Sequence, residues 1–590
     1  MTSLRYLVCL PKYGCDHAGA AALKRCPTLS AIVQSEPVYW CNDESGVLDV
    51  GNGTTVVIGT LVAKGKNRPA CGNLIDIDAR RAGGPTGRHL IENYWGAYVA
   101  IEAGIDGGGH SVVRDPSGFM PCYRVDTDGH SAFASDVSAL VAGGFVTAGI
   151  DWDSLFEHLQ APDVRRVRTC IEGVSELAPG FVAHKDSAPG EETMLWDPWA
   201  FADVRPMISA DDQAEALRSV ICSSISALAS PFGHIMVGVS GGLDSSIVCA
   251  ALAQSGARFT CLTMATADPS GDERPYARAV ADALGAPLVA HIYRPEQIDP
   301  TRSASPHLPR PVGKAFMQEI ERAYAEEVET RGIDAIFTGN GGDNLFCFLH
   351  SAAPIIDRLR AEGMSKGVGR TLLDMCAITE CDIATMAKAV LTGLLRGART
   401  PSPDMRLLNP DRSRSVATRP LTPYRDGAPT RFPGRRAHID MLLGIQNYIE
   451  GYDRTIRPPV ISPLLCQPIV EACLAIPSWQ WCEGGINRSL ARNAFRGMLP
   501  PSIVDRTSKA GPDSLMAIVF ERNRSVLREQ LLGGLLRRER IIDPTAVEAA
   551  LADPGASRGQ LFYRLLILAE AEAWARSWTD RLAGGAGHRG

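Results

Sequence analysis

The run Val239-Ser240-Gly241-Gly242-Leu243-Asp244-Ser245-Ser246, preceded by Gly238, has residue types and spacing suited to gripping a polyphosphate. Adjacent glycines let the backbone turn tightly and come close to a ligand. The amides that open a following helix then face an anion, helped by the helix dipole. The hydroxyls of Ser240, Ser245 and Ser246 add donors around the same point. A carboxylate at Asp244 repels phosphate, so its use there is to bind Mg²⁺, a hard ion that bridges carboxylate and phosphate oxygens. A Walker A loop needs a lysine after its second glycine, and this run has none. A second acidic turn, Gly339-Asn340-Gly341-Gly342-Asp343-Asn344, follows an apolar run that ends at Thr338. Asp343 either meets Asp244 across one metal ion or simply caps the next helix. The segment Asp505-Arg506-Thr507-Ser508-Lys509-Ala510-Gly511 puts a lysine before a small-residue turn, which is unremarkable by itself.

Turns of this kind must be carried by strands that end side by side. From Asp211 onward, long helical patterns alternate with buried strands, which predicts a parallel α/β sheet. The strands expected are 235–239, 259–265, 287–293 and 333–338, with helices over 245–253 and 273–284. Ligands of such sheets collect at the carboxyl ends of the strands. Residues 1–204 read differently, as short strands (55–59, 98–101 and 111–113 among them) between turn clusters, a pattern that predicts a β-rich sandwich. The expected fold class is therefore α/β in two domains, with a helical extension beyond about Thr371. Residues 196–206 read as the linker and 205–582 as the second domain. Residues 396–436 are rich in Arg, Pro and Ser and predict a mobile excursion, while 583–590 predict a frayed tail.

A length of 590 residues, with 45% hydrophobic and 21% charged, gives enough apolar material for two or three proper cores. A net charge of -6 gives no general attraction for nucleic acid, which is excluded as the main partner. The 16 cysteines are scattered without a C-x-x-C pair, which argues against zinc or a disulfide framework and for a reducing cytoplasm. No apolar stretch reaches the ~18 residues needed to span a bilayer. Residues 4–10 form a short strand-like run cut off by Pro11 and not a signal peptide.

The S-G-G-x-D-S pattern resembles the pyrophosphate loop of the ATP-pyrophosphatase superfamily, which cleaves ATP between its α- and β-phosphates. More of the chain resembles the asparagine synthetase family, with both of its domains in the usual order. Tyr94-Trp95-Gly96-Ala97-Tyr98, Arg114-Asp115-Pro116-Ser117-Gly118, Phe133-Ala134-Ser135-Asp136 and Leu177-Ala178-Pro179-Gly180 resemble its glutaminase-type domain. Asp453-Arg454, Ser462-Pro463-Leu464-Leu465 and the Arg506/Lys509 segment resemble its synthetase domain. Two departures matter. Thr2 stands where glutamine-hydrolysing members have a cysteine, and the glutamine-binding Asn-Gly-Glu segment has no match, so the resemblance implies an inactive glutaminase-like α+β sandwich. Asn340 stands where asparagine synthetases have Glu and β-lactam synthetases Tyr. With His307-Leu308-Pro309-Arg310-Pro311, the stretch from Ile445 to Arg454, the Ser478–Gly485 segment, Arg488, Arg492 and Leu499-Pro500-Pro501, the chain is most similar to the lasso-peptide cyclases.

That resemblance implies an ATP- and Mg²⁺-dependent ligase. It would adenylate an Asp or Glu side chain of a precursor peptide and join it to the peptide's N-terminal amine, releasing AMP and pyrophosphate. Asp244 and Asp343 would hold the metal, and Lys509 would face the α-phosphate and later the oxyanion. Adenine would lie along Val239, Leu262 and Met264, near Thr338 and Gly339. The base would be Glu450, Asp453, pyrophosphate or solvent. The implied partners are the precursor peptide, a leader-peptide protease and a leader-binding protein, with no nucleic acid and no membrane. Trp479 and Trp481 serve either the core or the peptide, and Arg412, Arg414, Arg419, Arg425, Arg435 and Arg436 form a solvated loop or a docking strip. The rival readings are a β-lactam synthetase, an ammonia-dependent asparagine synthetase and a catalytically dead nucleotide-binding scaffold.

Overall fold

Runs of β-branched and aromatic residues build three sheets in the computed structural model. It describes residues 4–11, 29–33, 38–50, 55–65, 86–102, 109–146, 149–185, 187–202, 209–266, 272–396, 403–412, 431–452, 458–507 and 513–586. One six-stranded sheet runs Val174–Glu176, Tyr123–Asp126, His130–Ala134, Tyr6–Pro11, Val38–Cys41, Ser30–Val33 from edge to edge. A second runs Thr193–Met194, Phe181–His184, Ser111–Arg114, Tyr94–Glu102, Thr55–Ala63, Val47–Val50. All pairings in both are antiparallel.

The strand Tyr6–Pro11 shows why the two sheets stack. Side chains alternate along a strand with period two, so Tyr6, Val8 and Leu10 enter one core while Leu7 and Cys9 enter another. The first core is shared with Val57, Leu61, Trp95 and Val99 of the second sheet. The other is shared with Phe520, Leu527, Trp574 and Trp578 of the C-terminal helices. Chain ends far apart in sequence therefore pack on the same sheet.

The third sheet is wholly parallel, in the order Leu288–Ile292, Phe259–Ala265, Ile235–Gly238, Ala335–Thr338, Val460–Ile461. Ile235, Met236 and Val237 are all buried, as a central strand covered on both faces must be. The helix Leu243–Ser255 is buried from Leu243 through Leu252 and is apolar around most of its circumference, the pattern of a core helix. Strand order reverses beside Ile235–Gly238, whose neighbours are the next strand on one side and Ala335–Thr338 on the other. That is a topological switch point, where the loops at the strand ends part to leave a crevice.

Three segments depart from expectation. Within 396–436, the described residues 403–412 pack into the body: Leu407 and Leu408 are buried, and Leu408 bridges Ile542. The helix Pro433–Ile445 starts inside the same segment, its Gly434 and Arg435 amides each donating to Asp357 at 2.9 Å. Arg435 is buried, Arg412 reaches Asp153 at 2.6 Å, and Arg436 lies 3.8 Å from Asp440, so these arginines are not a solvated strip. Arg414, Arg419 and Arg425 lie outside the described residues. The expected linker begins with a packed piece, since Trp196 is buried and its indole donates to Glu471 at 3.0 Å. The last helix, Leu561–Ala586, runs into the segment expected as a tail. Once a helix is nucleated, each further residue adds a bond, which carries it through Gly584 and Gly585 despite their low propensity. No helix among the described residues is long and apolar enough to cross a membrane.

Candidate active site

At the switch point, the strand Ile235–Gly238 passes through Val239 and Ser240 into the helix that begins at Leu243. Gly241 turns with φ +66°, and a side chain there would meet Tyr276 Cβ at 2.2 Å, so only glycine fits. Arg506 holds this turn in place. Its guanidinium donates to Gly241 O at 3.2 Å and to both oxygens of Glu273 at 2.6 and 2.7 Å, and it lies 3.7 Å from the Tyr276 ring centroid.

The second glycine turn lies directly against the first. A Cβ on Gly339 would fall 2.5 Å from Ser245 N, and one on Gly342 would fall 2.2 Å from Asp244 Cγ. At Gly339 backbone thus meets backbone, and at Gly342 it meets the Asp244 side chain. Gly339→Ala should therefore push the turns apart at a strain cost of about 1–3 kcal/mol. ATP affinity should fall about ten- to a hundredfold, measured by titration calorimetry, with the melting transition still cooperative.

A cavity of about 460 Å³ opens over these turns. Of the residues expected to bind nucleotide, Gly238, Val239, Ser240, Gly242, Leu243, Asp244, Ser245, Met264, Thr338 and Gly339 line it. Gly241 lies behind, as the turn itself. Ser246 is fully buried and donates its hydroxyl to Gly242 O at 2.8 Å, so that hydroxyl serves the helix and not the cavity.

Asp244 and Asp343 are brought together. Both contact one nitrogen of Arg488: Nη1 lies 3.1 Å from each oxygen of Asp244 and donates also to Asp343 Oδ1. Two carboxylates converging on one cation-sized point fit a shared divalent ion. Among the described residues no group of three or more His, Cys, Asp or Glu could hold a metal. A Mg²⁺ here would take two protein ligands and draw the rest from phosphate and water, as it does at nucleotide sites. Lys509 and Asp453 lie outside the described residues.

Glu450, a candidate base, is turned away from the cavity. It accepts from Tyr123 Oη at 2.7 Å and from Arg165, and lies 3.5 Å from Arg114. Its neighbours Tyr448, Gly451 and Tyr452 do line the cavity, and Asn340 reaches Tyr448 O at 3.4 Å. Trp479 and Trp481 are buried, with Trp481 packed 5.8 Å from the Phe346 ring, so they belong to the core. The Arg114–Gly118 motif is a brace: Asp115 accepts from Gly118 N at 2.9 Å, and Ser117 Oγ accepts from Gln467 N at 3.0 Å across the two halves.

Sequence reasoning missed what Arg488 does. Its partners are 145 and 244 residues away, and no local pattern announces such a contact. It also missed the cavity wall of Tyr293, Phe316, Met317, Ile320 and Tyr324, whose only signal is an apolar spacing shared with any core helix.

The family model for asparagine synthase matches residues 218–576. No curated protein matches. Among solved structures, the glutamine phosphoribosylpyrophosphate amidotransferase from B. subtilis, complexed with ADP and GMP, is similar over 49% of this chain and 80% of its own, at 8% identity and a TM-score of 0.20. A structure described as the allosteric regulatory enzyme of purine biosynthesis is similar over 49% of this chain and 80% of its own, at 9% identity and a TM-score of 0.19.

Proposed function

The chain belongs to the asparagine synthase family, and from that premise we propose that it cyclises a peptide, joining an Asp or Glu side chain to the peptide's own N-terminal amine. Membership makes it an ATP-dependent, amide-forming ligase. The choice of a peptide as substrate rests on the cavity wall. Asp244 is the one carboxylate among the described lining residues, and Arg488 already pairs with it. Lys314, Arg488 and Arg506 bring positive charge to the wall, and its stretch of Tyr293, Phe316, Met317, Ile320, Tyr324 and Tyr452 suits the apolar surface and amides of a peptide.

The chemistry follows from charge. The amides of the Gly241–Gly242 turn and the hydroxyls of Ser240 and Ser245 would hold the β- and γ-phosphates. A Mg²⁺ held by Asp244 and Asp343 would supply countercharge to the pyrophosphate. A carboxylate oxygen of the peptide attacks the α-phosphorus, the bond to the β-phosphate oxygen breaks, and pyrophosphate leaves. Lys509 is expected to stabilise that charge. The N-terminal amine then attacks the acyl carbon and gives up a proton, and the bond to AMP breaks. Asn340 cannot take the proton, so Asp453, pyrophosphate or solvent does. Holding both ends of one chain together adds effective molarities of ~10⁵–10⁸ M.

On this reading the N-terminal sandwich is a glutaminase-like domain without its nucleophile. A leader-peptide protease and a leader-binding protein would be partners in the cytoplasm. ATP–pyrophosphate exchange tests the proposal. It should require a peptide with a free amine and an internal acidic residue, and the product should be lighter by one water. Exchange supported by aspartate and ammonia would move the assignment to an ammonia-dependent asparagine synthetase. Support from a small β-amino acid would move it to a β-lactam synthetase, and no exchange with any acid would leave a nucleotide-binding scaffold. Release of ADP in place of AMP would end the proposal.

A further inference from the structure

Arg488 stands between the two aspartates. Its Nη1 contacts Asp244 through both oxygens and Asp343 through one, so a single guanidinium nitrogen bridges the pair. The side chain is held from other directions as well: Nε donates to Asn487 Oδ1 at 3.1 Å, and the guanidinium carbon lies 5.1 Å from the Phe348 ring centroid. Its backbone is left-handed, with φ +56°, which L-residues adopt at a cost. An outlier of that kind points to a residue held for a purpose. Arg488 is also buried yet lines the cavity, so phosphate oxygens entering the cavity come within its reach.

We infer that Arg488 is a resident counter-ion that makes metal entry depend on nucleotide. This rests on the reading that Asp244 and Asp343 serve a metal. The local charges explain the device. Four residues on, Arg492 is buried, and burial together with the charge of Arg488 pushes its guanidinium down to about 10, while Asp244 counteracts this. Asp244 therefore already feels a second arginine besides the one that bridges it to Asp343. A divalent ion arriving alone would add unbalanced positive charge and would have to displace a guanidinium held by three oxygens. Nucleotide brings the missing negative charge. Its phosphates can receive the guanidinium and leave the aspartates to the metal.

Mn²⁺ serves as the probe, its free fraction read by electron paramagnetic resonance in the full chain without peptide. The wild type should bind Mn²⁺ weakly alone and at least about tenfold more tightly with α,β-methylene-ATP, since coupling between sites of this kind is commonly 5- to 150-fold. Arg488→Gln should bind Mn²⁺ at least about tenfold more tightly than wild type without nucleotide. Arg488→Gly, which suits the left-handed backbone, should behave the same way and covers the case in which the glutamine variant fails to fold. Equal Mn²⁺ affinity in wild type and variants without nucleotide would overturn the inference, as would tight nucleotide-independent binding by the wild type. No peptide enters the measurement, so the cyclisation reading can fail while this result stands.

Discussion

Asp244→Asn should lower ATP–pyrophosphate exchange by about 10²–10³-fold while the protein stays folded, an effect of the size seen when one preorganised charge-stabilising group is removed. Asparagine keeps the volume of the side chain in the first turn of the buried helix and can still accept from Arg488. What it removes is the charge. Asp343 would be left as the only carboxylate at the point both now share, and its side chain is 33% exposed against 10% for Asp244. The more exposed charge is the better screened by water, so it makes the smaller contribution. Asp343→Asn should therefore cost less than Asp244→Asn, and Ser246→Ala should cost almost nothing, because that hydroxyl is spent inside its own helix. Three exchange assays at saturating peptide give the ranking. An Asp244→Asn protein within a few-fold of wild type would show that the pair of carboxylates does not carry the step.

What was legible in the sequence is what local chemistry dictates. The strand Phe259–Ala265 and the turn after Gly238 follow from β-branched runs and paired glycines within a few residues of each other. The parallel sheet follows from alternation. What was not legible depends on contacts between distant positions. Leu407 and Leu408 sit in an Arg- and Pro-rich stretch that reads as solvated, yet two leucines suffice to bury it against Ile542. Glu450 reads as a free carboxylate beside Asp453, and only the fold shows it bound among arginines 285 and 336 residues earlier. The same holds for the aspartate pair. Its two members were found by their glycine turns, and the cation that joins them was not.

Glu176→Gln should destabilise the protein by about 3–5 kcal/mol at neutral pH, because it leaves buried guanidinium groups without their partner. Glu176 accepts from Arg114 at 2.7 Å and also from Arg165 and Arg310, while Glu450 holds Arg165 from the other side. Three buried arginines thus face two buried glutamates, and removing one carboxylate doubles the unbalanced charge. Burial pushes the Glu176 carboxyl up, but Arg165, Arg310 and Arg114 outweigh it and hold it well below the usual carboxylate range. It is therefore ionised in the fold, while in the unfolded chain it takes a proton near pH ~4.3. Its stabilisation is complete above that pH and is lost as pH falls below it. His158, whose ring contacts Pro311 O at 3.1 Å beside Arg310, works in a higher window. Burial, only partly offset by that carbonyl, pushes it down to about 3 with help from nearby arginines, so it stays neutral in the fold while the unfolded chain protonates near pH ~6.5. His158 should then lower urea midpoints from pH ~6.5 downward, opposed below about 6 by Asp115 and Asp357, whose carboxyls burial pushes up to about 6, and the gap between wild type and Glu176→Gln should close only below ~4.3. A His158→Gln variant whose midpoint follows pH just as the wild type's does would remove the histidine part, and a Glu176→Gln protein as stable as wild type at pH 7 would remove the rest. The network ends at Glu450, between the cavity residues Tyr448 and Gly451. A folded fraction of Glu176→Gln should therefore also show a raised KM for peptide with ATP binding little changed, which makes the N-terminal half a support for the substrate wall and not a bystander.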